Sequence, residues 1–600
     1  MRFAKIRFSV SLTFPLAVAV ALAASAFAAA SAHAEVAVAF QIDLGKDNHA
    51  ISPLIFGSNT DSLKAEDGVT FRRMGGNRLT GYNWETNASS AGTDWQNSSD
   101  NFMGGGSVPG KAMTTFHDAA VGAGAATLIT LPAAGYVSKD KKGTVDSVDT
   151  APSARWCKVV FEKGKPFTQT PDSTDGEVYA DEFVDFLVKK YGGSAAANGV
   201  KNYSVDNEPA LWPYTHPRIH PLQPTAVELV QKTRDLSLAV KKVDPGARIF
   251  GGVFYGYAAY NNFQSAPDWN TVNAGNKYGW YIDYFLDQMK LESDKAGKRL
   301  MDVLDIHWYP EATGDNRIVA GNATTAADRA ARLQAPRSLW DSGYVENSWI
   351  SKSATPRPGT GNPGPINLLP RILASIAKYN PGTKLAITEY HYGEGDHISG
   401  GLAQADFLGI CAKMDVYAAS FWPLDGKLSY VKAAFRLFRN YDGNKGLFGS
   451  ISAAATASDN QNASVFASYV PAGDEVHIIA LNKNTAEPVR GTFTVTSPVA
   501  LTQGKVFGFD GTATTLSEKA AVATVTGNVF TYVLPPLSAS HFVIKTAAVL
   551  PSVSILSNPS GLRGAAKADA GLPAYLPDGR RLPNQGSAES AAPLFRLPRR

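Results

Sequence analysis

Between about residues 52 and 425, short apolar, β-prone runs alternate with stretches of helical periodicity, and this alternation restricts the chain more than any other feature. Strands that are each followed by a helix lie in a parallel sheet whose faces the helices cover. The runs are PLIFGSN (53–59), FRRMGG (71–76), ATLITLP (126–132), NYSVDNEP (202–209), RIFGGVFYG (248–256), DVLDIHWYP (302–310), KLAITEYHYG (384–393) and AASFWPL (418–424). Between them, DEFVDFLVKKYG sets Phe183, Phe186, Leu187 and Tyr191 at helical spacing, with Gly192 as a stop. A second helix has Pro224 near its start and closes at Asp244, Pro245 and Gly246. Eight such units predict a (β/α)8, TIM-like barrel over 52–455. An open doubly wound sheet is the alternative, but no glycine-rich phosphate turn follows the first strand.

Beyond residue 455 the pattern changes to strand alternation with turn signals: SVFASYV, EVHIIALNK, GTFTVTS, GKVFGF, NVFTYVLPP and ASHFVIK. This predicts a β-sandwich over 456–547, with the N-terminal segment 35–51 (EVAVAFQID at its start) donated to it. Residues 548–600, rich in Pro, Gly, Ala, Ser and Arg, read as a disordered tail. At the other end Arg2, Lys5 and Arg7 precede an apolar run closed by Ala32 and Ala34, which reads as a secretory signal peptide, 1–34, rather than an uncleaved anchor. No later stretch has the roughly 20 apolar residues of a membrane span, so the mature chain is expected outside the cytoplasmic membrane and free of it. The formal charge is only +4, with no basic stripe, which argues against a nucleic-acid partner. Cys157 and Cys411 are too few for a cysteine metal site, and their pairing stays open.

In such a barrel the chemistry belongs at the C-terminal ends of the strands. The fourth run ends in Asn207, Glu208 and Pro209, and the seventh runs into Glu389. Strands four and seven face each other across a closed barrel, so two carboxylates would meet over its mouth. Such a pair can cleave a glycosidic bond, one carboxyl protonating the leaving oxygen and the other attacking the anomeric carbon. Glu208 as the acid needs a raised pKa from partial burial and from the other carboxylate; Glu389 as nucleophile needs donors. Asn207 fits as donor to the neighbouring sugar hydroxyl. Tyr309 and one of Arg72 or Arg73 are the candidate donors to Glu389, and His307 and His391 stand where they could tune proton positions.

Each residue also has a plainer reading. A single strand-terminal Glu is more often a loop or salt-bridge residue; the pair at strands four and seven is harder to explain that way. Trp308 and Trp422 either stack on sugar or fill the core. The block from Asn77 to Trp95, which includes Trp84, either lines a cleft or forms an internally bonded Ω-loop. Glu394, Asp396 and His397 suggest a metal but fit a polar rim loop better. Asp146, Asp149, Asp172 and Asp175 could reach a hard cation, or be solvated turn residues.

RRMGGNRLTGYNWETNASSAGTDWQNSSD (72–100), YSVDNEPALWPYTHPRIHP (203–221), DIHWYPEA, ITEYHYGEGDHISGGLAQAD (387–406) and YVLPPLSASHFVI together resemble glycoside hydrolase family 44, secreted endoglucanases and xyloglucanases. The resemblance spans roughly residues 38–547. It implies a retaining mechanism on a (β/α)8 barrel with a β-sandwich, Glu208 matching the acid/base and Glu389 the nucleophile. It implies no cofactor for the chemistry; some members bind a structural calcium ion, whose ligands cannot be matched here. The chain is thus expected to be a monomeric, secreted endo-β-1,4-glucanase acting on glucan or xyloglucan. An endo-xylanase or endo-mannanase of the same mechanism, or a catalytically silent glycan-binding protein, are the alternatives.

Overall fold

The computed structural model describes residues 35–551 apart from 356, 358, 359 and 425. The signal segment and residues 552–600 lie outside the described residues. Eight parallel strands close into a barrel: β1 (Gly57–Ser58), β2 (Phe71–Met74), β3 (Ala126–Leu131), β4 (Asn202–Val205), β5 (Arg248–Phe254), β6 (Val303–Trp308), β7 (Lys384–Tyr390) and β8 (Ala418–Phe421). Each falls within one of the eight apolar runs. The first crossover carries only a 3-10 turn, Ala65–Asp67; the later ones carry helices such as Ala180–Tyr191, Ala226–Val243 and Tyr281–Ala296.

The barrel interior is graded along its axis. Phe71, Leu128, Phe250, Val303, Ala386 and Ala418 form an apolar floor. Above it come Arg73, Asp305, Thr388 and His307, all buried. Strand β6 shows how the alternation divides: Val303 joins the floor, Asp305 bonds Thr388 across the interior, and His307 reaches Glu208. Leu304, Ile306 and Trp308 face outward into the core shared with the helices. Strand β7 breaks this rule. Ile306 pairs with Ile387 but His307 pairs with Glu389, so one extra residue enters β7 between them. This β-bulge turns Glu389 toward the barrel mouth directly after Thr388, which a regular strand would not allow.

The second unit is a sheet whose path folds over itself. Val36–Asp43 pairs parallel with Val489–Thr496 and antiparallel with Ile451–Ala457. The latter strand also pairs with Ala463–Tyr469, which continues to Glu475–Asn482 and Ser538–Thr546. Phe40, Phe493, Phe530 and Phe542 stack between the two layers. Because Ile451–Ala457 belongs to this sheet, the sandwich begins earlier than residue 456.

Helix Ile398–Lys413, which follows β7, is buried along almost its whole length because it lies between barrel and sheet. Gly409 is needed there, since a Cβ would sit 2.2 Å from the Phe466 ring. Leu437 at the end of the last barrel helix accepts a 2.7 Å bond from His541 of the sheet. The sheet thus braces the helix that follows the Glu389 strand.

Candidate active site

The turn after β4 is built on Asp206. This buried carboxylate accepts from Thr80 Oγ1 (2.5 Å), Asn207 N (2.7 Å) and Trp212 Nε1 (3.2 Å) on one oxygen, and from Ala133 N (2.5 Å) and Ala134 N (3.0 Å) on the other. Donors from the ends of β2, β3 and β4 therefore converge on one side chain. Asp206 and Glu208 both take the left-handed conformation, with φ of 60° and 46°. That region costs a non-glycine residue of order 1–3 kcal/mol, and a residue before proline is normally extended. The Asp206 bonds and the 3-10 turn Pro209–Leu211 hold the strained pair.

Arg73 is the centre of the polar layer. Its Nη1 donates to Glu389 Oε1 (2.7 Å) and Asn59 Oδ1 (3.3 Å), and its Nη2 donates to Asn207 Oδ1 (2.8 Å). Gly75 leaves room for the guanidinium, which a Cβ would approach to 2.1 Å. Tyr309 Oη donates to Glu389 Oε2 at 2.7 Å, so both oxygens of Glu389 have donors. Arg72 instead turns away to Asp61 and the Ser58 carbonyl.

Glu208 has different surroundings. His307 Nδ1 lies 2.7 Å from its Oε1 and 3.6 Å from Glu389 Oε2. His307 Nε2 faces Arg73 Nη2 at 3.5 Å. A guanidinium can only donate, so Nε2 is the acceptor and Nδ1 carries the proton toward Glu208. Burial holds the imidazole neutral, its pKa lowered to about 3. Burial likewise raises Glu208 to about 7; Arg73 opposes this and the charge of Asp94 adds to it. The negative charge expected from Glu389 is offset by its ion pair with Arg73, and Asp94 supplies one in its place.

An oxygen of Glu208 and an oxygen of Glu389 lie within 4.8 Å of each other, with a His307 nitrogen inside the same radius. Among the described residues this is the one such cluster of three potential metal ligands, but the Glu389 oxygens already receive Arg73 and Tyr309. Trp422 is half-buried beside it, its ring over Gly76, where a Cβ would come within 2.6 Å. Trp422 is therefore partly open to solvent at the site.

Other expected residues are not. Trp308 is 1% exposed in the core, because it has the outward parity of β6. Trp84 is buried too, stacked on Phe183 with Nε1 bonded to the Tyr179 carbonyl. Neither can act as a sugar platform. Much of the Asn77–Trp95 block is tied down by hydrogen bonds, Asn87 to Tyr82 within it and Asn83 to Ser138 and Asn87 to Gly104 and Ala112 beyond it; Asp94 holds Asn77, which bonds Asn207. His391 is buried with neither ring nitrogen bonded. Glu394 is clamped by Arg329 and Arg332 as a rim ion pair. Asp172 closes its own turn through Thr174. Cys157 and Cys411 are buried free thiols.

Asp206 and Glu85 were not singled out from sequence. Glu85 is 3% exposed, and neither carboxylate oxygen has a hydrogen-bond partner of good geometry. Burial, then the charges of Asp175 and Glu182, push its pKa up to about 8. Oxygen atoms left this way suit a hard cation.

Two carboxylates at the mouth of a closed barrel, one saturated with donors and one kept protonatable, define a glycoside hydrolase. The model of glycoside hydrolase family 44 matches residues 88–312. Endoglucanase A of Paenibacillus lautus is 51% identical over 524 residues, 86% of this chain and 73% of that protein. The structure of a Paenibacillus polymyxa xyloglucanase from family 44 superposes with a TM-score of 0.82 at 46% identity, covering 85% of this chain and 100% of that one. A structure of a P. polymyxa family 44 xyloglucanase with xyloglucan gives 0.81 at 47%, with the same coverage. The chain belongs to glycoside hydrolase family 44.

Asp206→Asn puts an NH2 group among donors. Turnover should fall by about 100-fold or more, and stability by about 3 kcal/mol, with the secondary structure kept. Turnover and urea unfolding measure both. Wild-type turnover in that variant would remove Asp206 from the positioning of Glu208.

Proposed function

We propose that this enzyme cleaves β-1,4-glucan backbones internally with net retention of configuration, Glu208 serving as acid/base and Glu389 as nucleophile. One observation carries the reading: the two carboxylates approach within 4.8 Å yet differ in their partners. Retaining enzymes place these groups about 5–5.5 Å apart, and inverting ones leave about 6.5–9.5 Å for a water. In the first step Glu208 protonates the glycosidic oxygen as the bond to the anomeric carbon breaks, and a Glu389 oxygen bonds that carbon. In the second, Glu208 removes a proton from water as it attacks the same carbon and releases Glu389. Because His307 Nδ1 donates to Glu208 Oε1, the acid's proton sits on Oε2, the oxygen free for the leaving group. Arg73 and Tyr309 orient Glu389, and Asn207 donates to the hydroxyl next to the reacting carbon.

The glucan and xyloglucan assignment is supported by the names of the two Paenibacillus relatives and by the xyloglucan held in one of their structures. Xylan or mannan backbones are the competing substrates. Viscosity and reducing-end assays on a polysaccharide panel separate them. A catalytically silent glycan binder would show no hydrolysis on any member of the panel.

For secretion, the basic and apolar leader ending at Ala34 is the support. Protein recovered outside the cytoplasm should begin at Glu35; recovery with Met1 in place removes this reading. For a structural calcium ion, the orphaned Glu85 oxygens, with Asp175 nearby, are the support. A cation there would hold the Glu85 carboxyl ionised and take no part in bond cleavage. A chelator should lower Tm by several degrees in the wild type and not in Glu85→Gln; equal melting with and without chelator counts against it.

Glu208→Ala should slow polysaccharide cleavage by about 1,000-fold. It should spare aryl glycosides with good leaving groups far more, with partial rescue by azide. Glu389→Ala should abolish activity on both. Glu208 must be protonated to act, so kcat/KM should decline above about pH 7 as it ionises, and this limb should be absent in Glu208→Ala. Equal losses in the two variants on every substrate would refute the division of roles.

A further inference from the structure

Asn207 has one side-chain hydrogen to offer a sugar, and its orientation depends on a chain of bonds that ends on an exposed carboxylate. Its Oδ1 accepts from Arg73 Nη2 (2.8 Å) and Gly76 N (3.2 Å), both of which can only donate. Its Nδ2 donates to Asn77 Oδ1 at 3.3 Å. Asn77 can show that oxygen because its own Nδ2 is held by both oxygens of Asp94, at 2.9 and 3.1 Å. A carboxylate only accepts, so the polarity of the chain is fixed from each end. Without Asp94, Asn77 could flip and set its NH2 group against that of Asn207.

Asp94 is itself held in place. It lies in the turn Gly92–Trp95, tied to the loop after β4 by Thr93 Oγ1 donating to the Tyr214 carbonyl at 3.0 Å, and closed by Asn97 N on the Gly92 carbonyl at 2.8 Å. The same loop after β4 begins at Glu208.

We propose that Asp94 is a positioning residue of the hydrolytic reaction: through Asn77 it fixes the hydrogen that Asn207 presents to the sugar, and it sets a negative charge at the outer end of the bonds that lead to Asn207, the neighbour of Glu208. This rests on the reading of Glu208 as the acid. The other groups around Glu208 are His307 from β6 and Glu389 from β7, in the same cluster, and Arg73 from β2, with the Tyr255, Tyr260 and Tyr309 hydroxyls near enough to feel its charge. His307 is neutral and Arg73 is paired with Glu389. Asp94 has no cationic partner among the described residues, and its charge acts to keep Glu208 protonated.

Asp94→Asn removes the charge but keeps an oxygen for Asn77; Asp94→Ala removes both. The measurement is kcat/KM against pH on xyloglucan or carboxymethylated cellulose at low salt, together with turnover of an aryl β-glycoside and its 2-deoxy analogue. In Asp94→Asn the basic limb should move acidward by about 0.3–0.5 pH unit, with a fall in plateau kcat smaller than that of Asp94→Ala. In Asp94→Ala the same shift should accompany a fall in plateau kcat of about 5–20-fold, much smaller on the 2-deoxy substrate. A basic limb unmoved in both variants, or an Asp94→Ala loss equal on the hydroxyl and deoxy substrates, would overturn the proposal. Glu208→Ala separates the two levels. A limb that persists in Glu208→Ala means that the acid is another group; a limb lost in Glu208→Ala but unmoved in Asp94→Asn removes only the role of Asp94.

Discussion

One buried guanidinium organises the barrel mouth. Arg73 bonds Asn59, next to β1, Asn207, at the turn after β4, and Glu389 in β7, with His307 of β6 at 3.5 Å. A cation placed out of water costs several kcal/mol unless charge and hydrogen bonds surround it. Asn207, Glu389 and His307 are also the groups that the proposed chemistry uses. The requirement that satisfies Arg73 and the requirement that assembles the site are therefore the same. Beneath it, Asp305 is raised to about 7, chiefly by burial and with Glu389 adding, while Arg73 and Thr388 oppose the shift. The interior carries one guanidinium against two carboxylates, and the second can exist partly protonated near neutral pH.

Much of the fold was legible because a parallel strand covered on both faces is a short apolar run, and eight such runs have few alternatives. The proposed catalytic pair stood out because a carboxylate placed directly after such a run has no packing reason to be there. Trp308, open by residue type between sugar stacking and core, is assigned to the helix side by the parity of Asp305, His307 and Tyr309 against Leu304 and Ile306. Glu389 is the reverse case. Its parity within β7 points it away from the mouth, and the bulge that corrects this depends on pairing with β6, which no local pattern contains. Asp206 passed as the last polar residue of a strand, since its donors come from Thr80, Ala133 and Ala134, distant in sequence. Glu85 was hidden in a loop rich in Asn and Trp. The early start of the sandwich was obscured because ISAAATA has little β-branched or aromatic character, and its strand identity comes from pairing with Val36–Asp43 and Ala463–Tyr469.

The site concentrates costs of three kinds: left-handed backbone at Asp206 and Glu208, a buried ion pair, and a histidine kept neutral well below its ordinary pKa. None of these is a packing advantage, and each raises the difference between the two carboxylates. Two glutamates this close in equal surroundings would share a proton, and neither would be reliably acid or nucleophile. Here the cation and the phenol both fall on Glu389, whereas Glu208, half-buried at the mouth, receives a neutral imidazole. The strained turn is what allows Glu208 to stand near Glu389 without bonding Arg73, whose guanidinium is taken by Glu389 and Asn207. Were the turn relaxed to extended backbone, the second carboxylate would leave the position where burial and His307 hold it apart from the first. The strain at Glu208 and the unequal distribution of donors are thus one arrangement, and the stability to sustain it comes from the apolar floor and the helix layer below.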